Sequence, residues 1–253
     1  MSADAYLNGI LLREAVDTGL YSPARAVQST LMPLLQGWAG SQLLNVHPSG
    51  SFAKGTANRS GTDIDLFISL SEGAQETLKQ IYEKLFVYLQ SNNYTPKRQN
   101  VSINIRVSGL DVDLVPARRQ DPYSSDHSLY LRRRDTWQKT NAQTHINHVI
   151  AGNRIAESRL LKLWRIQKGL DFPSFYLELV VMRALSGYIN NSIGVRVWKV
   201  LEYLRDTFSS ARFVDPANTN NVISDDLTDS EKAKVRAAAI QSLAAPTWDK
   251  IIV

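Results

Sequence analysis

The stretch Gly50-Ser51-Phe52-Ala53-Lys54-Gly55-Thr56, followed across a short polar loop by Asp63-Ile64-Asp65-Leu66-Phe67-Ile68, decides how this chain is read. Two carboxylates two residues apart in an apolar run point to one face of a strand, because side chains alternate along extended backbone. Like charges held side by side on a half-buried strand repel. A divalent cation reverses that cost, since hard Mg²⁺ takes carboxylate oxygens and leaves its other positions to water and phosphate. The Gly-Ser turn upstream suits phosphate as well: glycine lets backbone amides approach closely, and the serine hydroxyl adds a donor. Together these residues predict a metal-dependent phosphoryl-transfer site.

Upstream of this stretch, apolar positions at three- and four-residue spacing predict helix over residues 5–39, interrupted at Tyr21-Ser22-Pro23. A short strand over Leu43–Val46 leads into the turn. Downstream, Asp63–Leu70 reads as a strand and Glu72–Leu89 as an amphipathic helix capped by Ser71. Val101–Val107 and Leu110–Val115 read as strands joined by a tight hairpin at Ser108-Gly109. The second strand brings a further carboxylate pair, Asp111 and Asp113; Asp111 is expected to face solvent. Residues 117–140 are polar, rich in arginine and tyrosine, and show no period. Helices follow over roughly 142–151, 154–168, 174–190, 194–208 and 229–244, with a loop at Asp215–Asp226. The predicted organisation is α+β, with a mixed-sheet core over residues 1–140 that includes the N-terminal helix. A helical half over 141–253 follows, giving two lobes around a cleft.

Composition narrows the chemistry. The chain has 253 residues, 43% of them apolar and 21% charged, ordinary for a globular protein. Cysteine is absent, which excludes disulfides, a thiolate nucleophile and a cysteine-ligated zinc. No apolar run approaches the ~18–20 residues of a membrane span, and Met1-Ser2-Ala3-Asp4 does not read as a secretion signal, so a cytoplasmic location is expected. The net charge of +5 suits a polyanionic ligand. Basic residues gather at Arg118-Arg119, at Arg132-Arg133-Arg134 and from Arg154 to Lys168, near Tyr130 and Trp137, where RNA or a short oligonucleotide is a possible partner alongside nucleoside triphosphates.

The run G-S-F-A-K-G-T followed by D-I-D-L-F resembles the signature of the DNA-polymerase-β-like nucleotidyltransferases. Its form is similar to that of the oligoadenylate synthases, the bacterial cyclic-oligonucleotide synthases (CD-NTases) and the class I CCA-adding enzymes. In that superfamily a third carboxylate precedes a hydrophobic pair and proline, and Val112-Asp113-Leu114-Val115-Pro116 resembles that element. The resemblance therefore implies that Asp63, Asp65 and Asp113 are the catalytic carboxylates and hold two ions, Mg²⁺ or Mn²⁺, about 3.5–4 Å apart. It assigns Gly50 and Ser51 to the phosphates. Arg159 to Trp164, with Pro173-Ser174-Phe175-Tyr176, resembles the helical half of the same relatives. It implies that Lys162 and Ser174 contact the triphosphate and that Phe175 stacks on a base. Asp215-Pro216-Ala217-Asn218, with Asn221, matches a further element of this group. Trp137, Thr140, Asn141 and His145 match another, except that Ala142 stands where proline is usual; His145 is expected to be structural.

The implied activity is template-independent joining of nucleoside triphosphates into a cyclic or short linear oligonucleotide, with release of pyrophosphate. An antiviral signalling role rests on the resemblance alone. Three readings stand beside it: nucleotide addition to an RNA 3′ end, protein-primed linear synthesis, and a catalytically silent nucleotide or RNA sensor.

Overall fold

The computed structural model describes residues 2–61 and 63–253. The chain divides into two compact units, each assembled from separated pieces of sequence.

The sheet unit comprises Asp17–Gly55 and Gly61–Ile146. It opens with α2 (Pro23–Ala39), numbered after the N-terminal helix α1 (Ala3–Arg13) of the other unit. Ser22 caps α2 by accepting from the Arg25 amide, and Pro23 fills the first helical position, where its missing N–H costs nothing. There follow β1 (Leu43–Pro48), the short helix α3 (Gly50–Lys54), β2 (Ile64–Leu70) and α4 (Leu78–Ser91). The unit continues through β3 (Lys97–Arg98), β4 (Ile103–Val107), β5 (Leu110–Arg119), β6 (His127–Leu131) and β7 (Thr136–Thr140). Among the described residues the sheet runs β1-β2-β5-β4-β3, with β6 on β5 and β7 on β6. Among the described residues only β2 and β5 pair in parallel. Ile64, Leu66, Ile68 and Leu70 of β2 are buried on alternate positions, and Asp65, Phe67 and Ser69 take the other face.

Three differences from the sequence reading have local causes. The helix expected from Glu72 starts at Leu78, because Thr77 and Gln80 close a capping box while the Ser71 hydroxyl accepts from the Gly73 amide. The Gly50-Ser51 turn is the opening of the five-residue helix α3, ended by Gly55 in a left-handed conformation at φ 72°. The stretch 117–140, where the sequence shows no period, holds the end of β5 and the β6–β7 hairpin. Arg119 pairs with His127, and the β6–β7 hairpin closes through Asp135 at φ 47°; β6 is buried at nearly every position and β7 opens exposed, so neither strand alternates cleanly. The Ser108-Gly109 hairpin forms as expected, both residues at positive φ.

The helical unit comprises the chain up to Val16, Thr56–Ser60 and Asn147–Val253. The chain passes into it within α5 (Ala142–Gly152). It then forms α6 (Ile155–Gln167), α7 (Ser174–Ala184), α8 (Ile193–Asp206), the hairpin β8 (Val214–Asp215) with β9 (Asn218–Val222), and α9 (Asp229–Leu243). Leu7 and Ile10 of α1 are buried in its core with Leu160, Trp164, Val197 and Leu201. The N-terminal helix, expected with the sheet, therefore packs here.

Candidate active site

The site begins with a strand pair. β2 and β5 run parallel with Asp65 opposite Asp113, so two carboxylates sit on adjacent strands at the same level. Antiparallel β4 then places Asn104 opposite Asp113. The Asp113 carboxylate is buried and accepts from Asn104 Nδ2 at 2.9 Å, Gln99 Nε2 at 3.1 Å and Ser102 Oγ at 3.4 Å. Burial pushes its carboxyl above the ordinary value; the bonds from Asn104, Ser102 and Gln99 pull the other way, and Asp111 pushes it up further. Asp63 lies immediately before β2 and is exposed, so it approaches the ladder rather than belonging to it. Its carboxyl too is held up, first by burial and then by the charges of Asp113 and Asp111. Asp111 is exposed opposite Arg106, as its predicted solvent-facing role requires.

Gly50 faces Asp65 at very short range. A Cβ built on Gly50 would stand 1.7 Å from Asp65 Oδ2 and 2.4 Å from its Cγ, and the residue is at φ +55°. Only glycine satisfies both demands. The Ser49 amide also donates to the Asp65 carbonyl at 2.8 Å, which fixes the strand exit against the strand bearing the carboxylate. Ser51 follows as the second residue of α3.

The donor set fits a hard divalent cation: oxygen ligands, with two of the carboxyls raised first by burial and then by neighbouring carboxylates, which a cation would offset. Among the described residues no three acidic or histidine side chains form a complete cage by themselves. Water and phosphate oxygens customarily supply the remaining positions around Mg²⁺.

In the helical unit Lys162 is 4% exposed, and its ammonium lies 2.7 Å from Glu178 Oε1 and 2.7 Å from Thr56 Oγ1. Thr56 in turn donates to Glu178 at 2.6 Å. Asn58 and Arg159 exchange bonds, and Ser60 is held by Glu14 through its amide and its hydroxyl. The loop between Gly55 and Gly61 is thus clamped at three alternate residues. Ser174 opens α7 and Phe175 is half-buried against the helical core. Asp215 is buried and ties its hairpin through the Ala217 amide and Asn221. Asn141 caps α5 through the Thr144 amide and donates to Asp126. Both of these elements therefore have structural work of their own. The structure brings Asp65, Asp113 and Gly50 together, with Asp63 at the edge; Lys162, Ser174 and Phe175 belong to the helical unit.

Sequence reasoning missed Gln99, Ser102 and Asn104 around Asp113. Asn104 was within reach: a two-residue hairpin at Ser108-Gly109 pairs Val107 with Leu110 and, counting outward, Asn104 with Asp113.

The family model described as "Nucleotidyltransferase domain" matches residues 40–135, which span Gly50, Asp63, Asp65 and Asp113. The cyclic AMP-AMP-AMP synthase of Escherichia coli (strain MS 115-1) is 29% identical over 67% of this chain and 59% of its own length. This chain therefore spans less than two thirds of that curated relative. The structure of E. coli MS115-1 CdnC with ATP matches with a TM-score of 0.78 at 23% identity, covering 98% of this chain and 96% of that one. The Elizabethkingia meningoseptica CdnE cyclic dinucleotide synthase with GTP and Apcpp matches at 0.75 and 12%, covering 97% and 100%. The fold is that of these solved structures, α+β with a helical C-terminal half.

Proposed function

We propose that this nucleotidyltransferase domain works within an enzyme that joins nucleoside triphosphates into a cyclic or short linear oligonucleotide and releases pyrophosphate. The observation that carries the reading is the placement of Asp65 level with Asp113 on parallel strands, with the Gly50 backbone pressed against the Asp65 carboxylate. Asp63, Asp65 and Asp113 are the proposed ligands of two divalent cations, with Asp63 joining the set from its exposed position beside the strand. When bound, Mg²⁺ or Mn²⁺ there would acidify an attacking hydroxyl and offset charge on the departing pyrophosphate.

The protein's own groups set the stage for that chemistry. Asn104, Gln99 and Ser102 hold one face of the Asp113 carboxylate, so its orientation is fixed before substrate arrives. Gly50 and Ser51 are the proposed phosphate contacts at the opening of α3. Ser174 and Phe175 are proposed for triphosphate and base. Lys162, whose ammonium is paired with Glu178, is proposed to act on the phosphates through Thr56, by holding the loop that joins the two halves of the motif. Similarity to a cyclic AMP-AMP-AMP synthase favours adenine nucleotides and a cyclic product used as a signal, in antiviral defence by the family resemblance.

The test incubates purified protein with Mg²⁺ and each labelled nucleoside triphosphate, then measures pyrophosphate release and resistance of the product to phosphatase. The expected result is a phosphatase-resistant product from ATP that disappears in Asp65→Asn with Asp113→Asn. Activity persisting in that double variant refutes the carboxylate assignment. A phosphatase-sensitive ladder means linear synthesis, and label appearing on added RNA replaces this function with end addition.

A further inference from the structure

The sheet unit contains a cavity of about 800 Å³ on the same face of β2 as Asp65, but farther along the strand. Phe67 and Ser69 form part of its wall; Ser69 is four residues past Asp65, about 13 Å along an extended strand. Neither Asp65 nor Asp113 lines it. None of its lining residues is acidic, in a chain with 24 aspartates and glutamates, while two arginines and two histidines face it.

Among the described residues no carboxylate pairs with Arg25 or Arg119. Arg119 donates to the carbonyl oxygens of Ser124 at 3.1 Å and of Pro122, so neutral acceptors hold its guanidinium in place. Asp121, the acidic group that senses Arg119, spends its carboxylate on Ser124 and on the Tyr123 and Ser124 amides. Arg25 is exposed in the first turn of α2.

The interior is aromatic and only partly satisfied. His127 Nδ1 is 2.9 Å from the Ser125 carbonyl, which puts the proton on that nitrogen and leaves Nε2 to accept from Ser69 Oγ at 2.7 Å. Phe67 lies between the two imidazoles, 5.4 Å from His47 and 5.0 Å from His127. Burial lowers both histidines, so the rings are neutral near pH 7. His47 Nδ1 is buried without a hydrogen-bond partner among the described residues, a polar atom that a ligand would satisfy. The volume suits a small organic molecule, with aromatic rings and converging polar groups in its walls.

We propose that this cavity is a binding site for a small organic anion carrying a flat ring, separate from the carboxylates that join nucleotides. The ring lies against Phe67 and the two imidazoles, and the anionic group meets Arg25 and Arg119.

The test uses 8-anilinonaphthalene-1-sulfonate, a ring-bearing anion, with the whole protein and no nucleotide. Binding is followed by fluorescence and by the ¹⁵N signals of the imidazoles, of which the chain has four. One saturable site is expected, with shifts at His47 and His127 and none at His148, which does not line the cavity. Arg25→Glu weakens binding at least fivefold without changing the melting temperature, and Arg119→Gln weakens it as a second, milder variant. ATP with Mg²⁺ leaves the probe in place. Unmoved His47 and His127 signals, unchanged affinity in both variants, or displacement by ATP overturns the proposal.

Discussion

Replacing Gly50 by alanine isolates the closest approach in the site. The new Cβ would meet Asp65 Oδ2 at 1.7 Å, whereas ordinary contact begins at 3.4 Å, so the carboxylate must retreat by about as much again. Left-handed backbone at φ +55° adds about 1–2 kcal/mol for any residue with a Cβ. Gly109→Ala supplies the control. It too sits at positive φ, +82°, but a Cβ there meets nothing within 4 Å. Both variants should lose the backbone increment, a fall of about 2–4 °C in Tm per kcal/mol for a chain of this size. Only Gly50→Ala should also move Asp65. Misplacing a catalytic group by more than about 1 Å costs on the order of 100-fold in rate. Pyrophosphate release should therefore fall by at least that factor in Gly50→Ala and stay within about twofold in Gly109→Ala. Calorimetry and a coupled pyrophosphate assay read the two effects separately. Equal activity losses in the two variants, or a Gly50→Ala enzyme within a few-fold of the parent, would refute the reasoning.

Glu178→Ala strands the Lys162 ammonium in a site where Glu178 is 0% exposed, and should cost about 3–5 kcal/mol in denaturant unfolding. Lys162→Met combined with Glu178→Leu should recover most of that loss, since the pair is then removed rather than broken. Thr77→Ala removes one side of the capping box and should cost about 1 kcal/mol without touching pyrophosphate release. Raised carboxyls at Asp63 and Asp113 favour the protonated form of the fold. In chelator their contribution to stability is present below the ordinary value of 3.8 and is lost as pH rises through the raised values. Mn²⁺ binding, which needs the ionised forms, should strengthen over the same interval, as followed by titration calorimetry. Asp113→Asn should flatten the stability change, and an unaltered pH profile in that variant counts against the coupling.

The catalytic strands were legible because their signals are local. Alternation in Asp63–Leu70 and the Ser108-Gly109 turn fix the faces and the register, and Asp65 meets Asp113 accordingly. The β6–β7 hairpin was not legible. Trp137 is 57% exposed, and charged residues crowd its turn, so no apolar period marks it. The burial of Lys162 was equally hidden: its partners, Thr56 and Glu178, lie far off in sequence or on another helix, and no helical spacing announces them. The separate cavity escaped for the same reason. His47, Ser69 and His127 come from three strands and carry no motif.

The discontinuous build of the helical unit bears on how the protein is made. Helix α1 leaves the ribosome well before its partners, since those of Leu7 and Ile10 lie beyond Asn147. At ordinary rates of synthesis that helix waits on the order of ten seconds or more with its apolar face uncovered. The sheet unit's strands are all translated before the residues that receive α1 and the Thr56–Ser60 loop. A fragment cut near residue 140 would keep α1, that loop and the Glu14–Ser60 bonds while losing the helices that bury Leu7, Ile10 and Thr56. Expression of the catalytic half alone should accordingly give insoluble or protease-sensitive material, whereas a circular permutant that begins at residue 147 would present α1 with its partners already synthesised.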